Sequence, residues 1–174
     1  MSSASTDVPI GVGAVGLDPE TDSGPLAEMP EGEYFELVAL CDEGTEEQDV
    51  DYGELPCYSD YNILLRDEEV ELVLVGGPLD TRRDFAVRAL NAGCHVLIQE
   101  PFCETALDAE RVMKTAFHNG LVATMNLEWR DDADLCALRA ALAEENVGAI
   151  HTVQTFWSPP EGQAMPQALH FSRQ

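Results

Sequence analysis

The chain has 174 residues, enough for one domain with a substantial core, since a globular chain of this size buries roughly two-thirds of its unfolded surface. Its 33 acids stand against 9 Lys and Arg, a formal charge of -24, which excludes nucleic acid and anionic membrane surfaces as partners. The five cysteines, Cys41, Cys57, Cys94, Cys103 and Cys136, are odd in number, dispersed and free of any Cys-x-x-Cys pair, so neither a disulfide framework nor a metal site is expected.

No long apolar run marks a membrane span, and the start MSSASTD lacks the basic and apolar regions of a signal peptide. A cytoplasmic protein with reduced, mostly buried thiols is the expectation. The charge is unevenly placed: no Lys or Arg precedes Arg66, while acids accumulate from Asp18 to Asp60. Two readings stand, a salt-adapted (halophilic) surface or an acidic loop with a specific role, and the single lysine, Lys114, favours the first.

Along the chain, Val8 to Leu17 (VPIGVGAVGL) reads as a strand punctuated by glycine, and Phe35 to Asp42 (FELVALCD) as a buried strand ending in an acid. Between them, Pro19, Gly24, Pro25, Pro30 and Gly32 leave no room for a regular helix beyond a turn or two. Residues 43–57 are acidic and apolar-poor, a surface loop, followed by a short helix over Tyr58 to Arg66 and a strand over Glu71 to Val75.

The spacing predicts a helix over Thr81 to Ala92, with Phe85, Ala86, Ala89 and Leu90 on its buried face and Arg82, Arg83 and Arg88 outside it. Thr81-x-x-Asp84 resembles a capping box, and Thr105-x-x-Asp108 repeats the device for a helix over Thr105 to Asn119. That helix has an apolar stripe of Ala109, Val112, Met113, Ala116 and Phe117. Gly93 and Gly120 stand just past the two helix ends, and each leads into a strand. A further helix covers Asp132 to Glu144, with Leu135, Leu138 and Leu142 at core spacing. Strands and helices alternate, so the expected fold is α/β, a doubly wound, mostly parallel sheet. Ala149 to Trp157 (AIHTVQTFW) alternates like a strand with one exposed face and is expected to pair with a second subunit.

Such sheets place ligands at the carboxyl ends of their strands. Gly11, Gly13 and Gly16 fit the glycine fingerprint that lets backbone amides approach a pyrophosphate. The other reading is that IGVGAVGL is itself the first strand, its glycines serving close packing, with the phosphate loop rebuilt as Asp18 to Gly24. Asp42 closes the second strand, where an acid accepts hydrogen bonds from an adenosine ribose and disfavours a 2′-phosphate. With Glu43, Glu46 and Glu47 beside it, a bound dinucleotide would be NAD rather than NADP. A solvated strand-end aspartate accounts for Asp42 equally well. Gly76, Gly77 and Pro78 form a turn at the next strand end, and Gln99, Glu100 and Pro101 follow the one after. The four histidines, His95, His118, His151 and His170, have no metal-ligand spacing.

The run Leu72 to Pro101, LVLVGGPLDTRRDFAVRALNAGCHVLIQEP, resembles without a gap the corresponding stretch of the glucose–fructose oxidoreductase / inositol dehydrogenase / MocA (Gfo/Idh/MocA) family of nicotinamide-dependent oxidoreductases. The resemblance spans roughly Pro9 to Trp157 and implies a Rossmann-like dinucleotide-binding domain over residues 1–148, with residues 149–174 as a vestige of a second, dimerising domain. It implies NAD as cofactor, Gly76, Gly77 and Pro78 along the nicotinamide side, and a homodimer or partner subunit. It also places Asn126 and Arg130 at the active-site loop, with Trp129 covering a ring there; the other reading has Trp129 buried as core and Arg130 capping or pairing on the surface. Where that family ends its strand in Glu-Lys-Pro, this chain has Gln99-Glu100-Pro101, a reversal of charge at the lysine that orients cofactor and substrate. Beside a phosphate or carboxylate, a unit charge pair is worth about 4 kcal/mol at about 4 Å and an effective dielectric near 20. The expectation is a degenerate domain unable to transfer hydride alone; the alternative is a non-catalytic interaction or dimerisation protein without cofactor.

Overall fold

A computed structural model describes residues 8–16, 34–42, 55–127, 130, 132–143 and 148. The loops expected between the first strands, Trp129, His151, His170 and the expected strand Ala149 to Trp157 lie outside the described residues. Among the described residues are six strands, β1 (Ile10–Val15), β2 (Phe35–Cys41), β3 (Cys57–Tyr58), β4 (Leu72–Val75), β5 (His95–Ile98) and β6 (Ala123–Met125), and, between β3 and β6, helices α1 (Tyr61–Leu64), α2 (Leu79–Ala92) and α3 (Ala106–Asn119). A last described helix, α4 (Ala133–Ala143), follows. The sheet order is β3-β2-β1-β4-β5-β6, and every neighbouring pair is parallel. The doubly wound α/β expectation therefore holds, with the winding reversing between β1 and β4. By contacts the chain divides into two units, Met1–Glu128, which holds the sheet with α1 to α3, and Trp129–Gln174, which holds α4.

Parallel strands covered on both faces must be apolar on both, and here successive residues feed two clusters. Val73, Val75, Val96 and Ile98 meet Tyr61 and Leu64 of α1, Ala86, Ala89 and Leu90 of α2, and Val112 and Ala116 of α3. Val12, Ala14, Leu40 and Leu74 form the opposite cluster. Each fully buried Val, Leu or Ile contributes about 1.5–3 kcal/mol, so these strands outweigh any surface ion pair as the source of stability.

The two readings of the glycine run are now separable. Gly11 and Gly13 lie inside β1; a Cβ on Gly11 would overlap the Glu69 carbonyl oxygen, and one on Gly13 would press on Leu64 and Val70. Close packing is their local role. Gly93 and Gly120 cap α2 and α3 with φ of 100° and 68°, as their positions predicted. The Thr105 hydroxyl accepts the Asp108 N–H at 3.1 Å and donates to the Asp108 carboxylate at 2.6 Å, so the second capping pair forms.

Other expectations are corrected. The loop expected over residues 43–57 ends in strand β3, where Cys57 and Tyr58 pair with Leu40 and Cys41; a two-residue edge strand is too short for a periodic signal. Thr81 and Asp84 form no box: α2 begins earlier, at Leu79 after Pro78, and Thr81 instead donates its hydroxyl to the Pro78 carbonyl. Arg82 is buried at 9 % exposure rather than outward, because it shares a helical face with Ala86 and Ala89. On α3 only Val112 and Ala116 are fully buried, whereas Met113 is 49 % and Phe117 90 % exposed. The apolar stripe is wider than the strip of sheet beneath it. Leu135, Leu138 and Leu142 of α4 are exposed among the described residues; their spacing marks a face, not what covers it.

Candidate functional site

Along the carboxyl edge the ladder runs one residue past β2, β4, β5 and β6. Gly76 N–H donates to the Val15 carbonyl at 2.9 Å, Gln99 N–H to Val75 at 2.9 Å and Asn126 N–H to Ile98 at 2.8 Å. Asp42 N–H donates to Tyr58 at 3.0 Å. Asp42, Gly76, Gln99 and Asn126 are thus held along the carboxyl edge by backbone bonds.

At the point where the winding reverses, the turns after β1 and β4 meet backbone to backbone. Gly16 has φ 67° and Gly77 φ 80°, a left-handed conformation that side chains disfavour. A Cβ on Gly77 would stand 2.8 Å from the Gly16 carbonyl oxygen, and one on Gly16 would stand 3.0 Å from that of Gly76. The two turns therefore pack main chain against main chain, with no Cβ of their own between them.

The structure brings Gly16, Gly76 and Gly77 into contact, with Pro78 starting α2 beside them. Gly11 and Gly13 lie back along β1, away from this edge. Asp42 stands half-buried at the end of β2; burial first, and then the Asp42 charge, push the neighbouring Cys57 thiol up. Gln99 is buried and Glu100 exposed, and the Glu100–Pro101 peptide is cis. Arg130 belongs to the second unit. Among the described residues no three His, Cys, Asp or Glu side chains stand together as a metal site, and the five cysteines are unbridged.

Sequence reasoning missed Arg82. Its Nε donates to the Gly77 carbonyl at 2.8 Å and its Nη1 to those of Gln99 at 2.9 Å and Pro101 at 2.8 Å. Its charge reaches Cys103, whose thiol burial and Asp108 push up while Arg82 and Arg83 pull it down. The signal was its spacing from Ala86 and Ala89; residue type alone had set it outside. Nearby, Arg83 ties α2 to α3 through a 2.8 Å bond to Asp108.

A parallel sheet of order 3-2-1-4-5-6 whose glycine turns meet at the reversal point defines a dinucleotide-binding type of domain. Residues 9–127 match the Gfo/Idh/MocA oxidoreductase family, NAD-binding Rossmann fold. The chain belongs to this family. It is 35% identical over 115 residues to an inositol 2-dehydrogenase of Salmonella typhimurium, covering 64% of this chain and 33% of that one. A scyllo-inositol 2-dehydrogenase (NADP(+)) of Bacillus subtilis is 24% identical over 159 residues, 90% of this chain and 44% of the relative. Among solved structures, the oxidoreductase YPO2259 of Yersinia pestis superposes with a TM-score of 0.69 at 30% identity, covering 84% of this chain and 42% of the other. The myo-inositol 2-dehydrogenase of Lactobacillus plantarum, at 16% identity and a TM-score of 0.70 over 82% of this chain and 43% of its own, shares the fold. The chain thus spans between a third and a half of the length of these relatives.

Proposed function

We propose that this domain binds NAD along its carboxyl edge and does not transfer hydride alone. Gly16, Gly76, Gly77 and Pro78 would face the pyrophosphate and nicotinamide half, and Asp42 the adenosine ribose, with Gln99 and Glu100 at the nicotinamide end. The span from β2 to β5 is three strand steps, about 14 Å at about 4.8 Å per step, room for a dinucleotide laid across the edge. The Gly16–Gly77 contact supports the reading, since two turns without Cβ atoms bring main chain to the reversal point, where such sheets bind ligands. Asp42 favours NAD over NADP by repelling a 2′-phosphate.

Bound NAD would supply the hydride acceptor. The chain's own contribution at that end is Glu100, which is exposed and anionic. A carboxylate accepts a proton but provides no cation to orient an anionic or hydroxyl-rich substrate. This is the observation that carries the reading. The relatives named for inositols suggest a polyol or sugar as the substrate class for any assembly in which the domain takes part. The unbridged thiols, and the fact that no described helix is long and apolar enough to cross a membrane, support a cytoplasmic setting. A homo-oligomer or partner subunit is part of the proposal.

Fluorescence titration with NADH and NADPH, alongside an absorbance assay with NAD and a panel of polyols, tests it. Saturable binding that favours NADH, with no NADH produced, is expected. Turnover by the chain alone would refute the second half, and equal or stronger NADPH binding would refute the assignment to Asp42. A second reading, an interaction module without cofactor, is favoured by the exposed Met113, Phe117 and Val122; absence of binding to either nucleotide would select it.

A further inference from the structure

We propose that Arg82 is a positioning residue for the nucleotide edge, bracing the turns after β4 and β5 and returning a cation to the turn that carries Glu100. The inference rests on the NAD-binding reading. Arg82 lies in the first turns of α2, directly after the Gly76-Gly77-Pro78 turn, and its guanidinium is buried. Three of its hydrogen bonds, at 2.8, 2.9 and 2.8 Å, go to carbonyls of Gly77, Gln99 and Pro101. Gly77 abuts Gly16, so the brace extends to the β1 turn, and Gln99 and Pro101 flank Glu100.

Three features make this more than packing. A charged donor forms stronger hydrogen bonds than a neutral one, and the planar guanidinium fixes their relative directions, which lysine cannot do. Turning the Gln99 carbonyl toward Arg82 also orients the Glu100 N–H, because a planar trans peptide points the two in opposite directions. Among the described residues no backbone group accepts that N–H, and a ligand at the edge would meet it. Finally, a fixed positive charge behind the turn offsets part of the repulsion that exposed Glu100 exerts on phosphates.

The test uses the full chain and NADH as probe. Arg82→Met should weaken NADH binding by about tenfold, the scale of a lost charge-assisted bond, and should reduce the salt dependence of the remaining affinity. Arg82→Lys keeps the charge but not the fork, and should lose less affinity while retaining the salt dependence. A merely structural role would lower the melting temperature of both variants and leave the affinity of the folded protein, and its salt dependence, unchanged; that result overturns the inference. In the unaltered protein, NADH should slow hydrogen exchange of the Glu100 amide. Unchanged exchange there under saturation also overturns it, even if neither variant folds. If the unaltered protein binds no NADH, the NAD reading fails first and this inference fails with it, an outcome distinct from binding that Arg82 does not influence.

Discussion

The carboxyl edge has two sides built by different means. On the β1–β4 side the site is main chain: Gly16 and Gly77 meet with no side chain between them, and their geometry is set by φ and by ladder hydrogen bonds. On the β5 side it is side chain, with buried Gln99, exposed Glu100 and the Arg82 brace beneath them. Features held by the backbone tolerate wide changes in surface charge. A function carried by one side chain is altered by one substitution, and on the proposed reading Glu100 is the side chain that decides it.

Breaking β1, the strand that leads to the first side, should have the largest effect. Gly11→Ala places a Cβ against the Glu69 carbonyl oxygen, so β1 must shift and stability should fall by about 2 kcal/mol or more; urea unfolding measures it. An unfolding midpoint equal to that of the parent would mean β1 does not pack as described. The second side is sharpened by Glu100→Lys, which replaces an exposed anion by a cation. NADH affinity should rise by about tenfold or more at low salt, with a smaller gain in molar salt. Unchanged affinity would place the ligand away from the β5 turn.

A smaller effect is expected at the helix that follows that turn. Thr105→Ala removes the cap of α3 and should cost about 1 kcal/mol. The Thr105 hydroxyl first, and then Arg83, hold the Asp108 carboxyl below the usual range. A lowered folded pKa means that ionised Asp108 stabilises the fold above the unfolded value, and that this contribution is lost as pH falls through the folded one, from about pH 4 downward. Because Thr105→Ala removes the larger cause, its stability should fall less steeply with acid than the parent's; an identical slope would contradict the assignment. The smallest effect is at Phe117, 90 % exposed, where Phe117→Ser should change stability by no more than about 0.5 kcal/mol. A large loss would mean that something covers that face.

Much of the second half of the sheet was legible because local signals agree there. The apolar runs at β4 and β5, the Thr105 cap and the glycines past α2 and α3 each point to the same element boundaries. The candidate edge was legible at Gly16, Asp42 and the Gly76-Gly77 turn because these residues lie at strand ends. Gly11 and Gly13 fit the same spacing rule but fall inside β1, since spacing carries no register. Arg82 was misplaced because its polar type opposed its position, and only the carbonyls of Gly77, Gln99 and Pro101 show why a cation is held there. Met113 and Phe117 were placed in the core because an apolar stripe does not reveal the width of the surface that receives it.

The most direct test is a crystal structure of the protein grown with NADH at saturating concentration. The account predicts a dinucleotide lying across the carboxyl edge, against Gly16 and Gly77 at its centre and Asp42 at its adenosine end. A dinucleotide bound elsewhere, or an edge without one at that concentration, would contradict it.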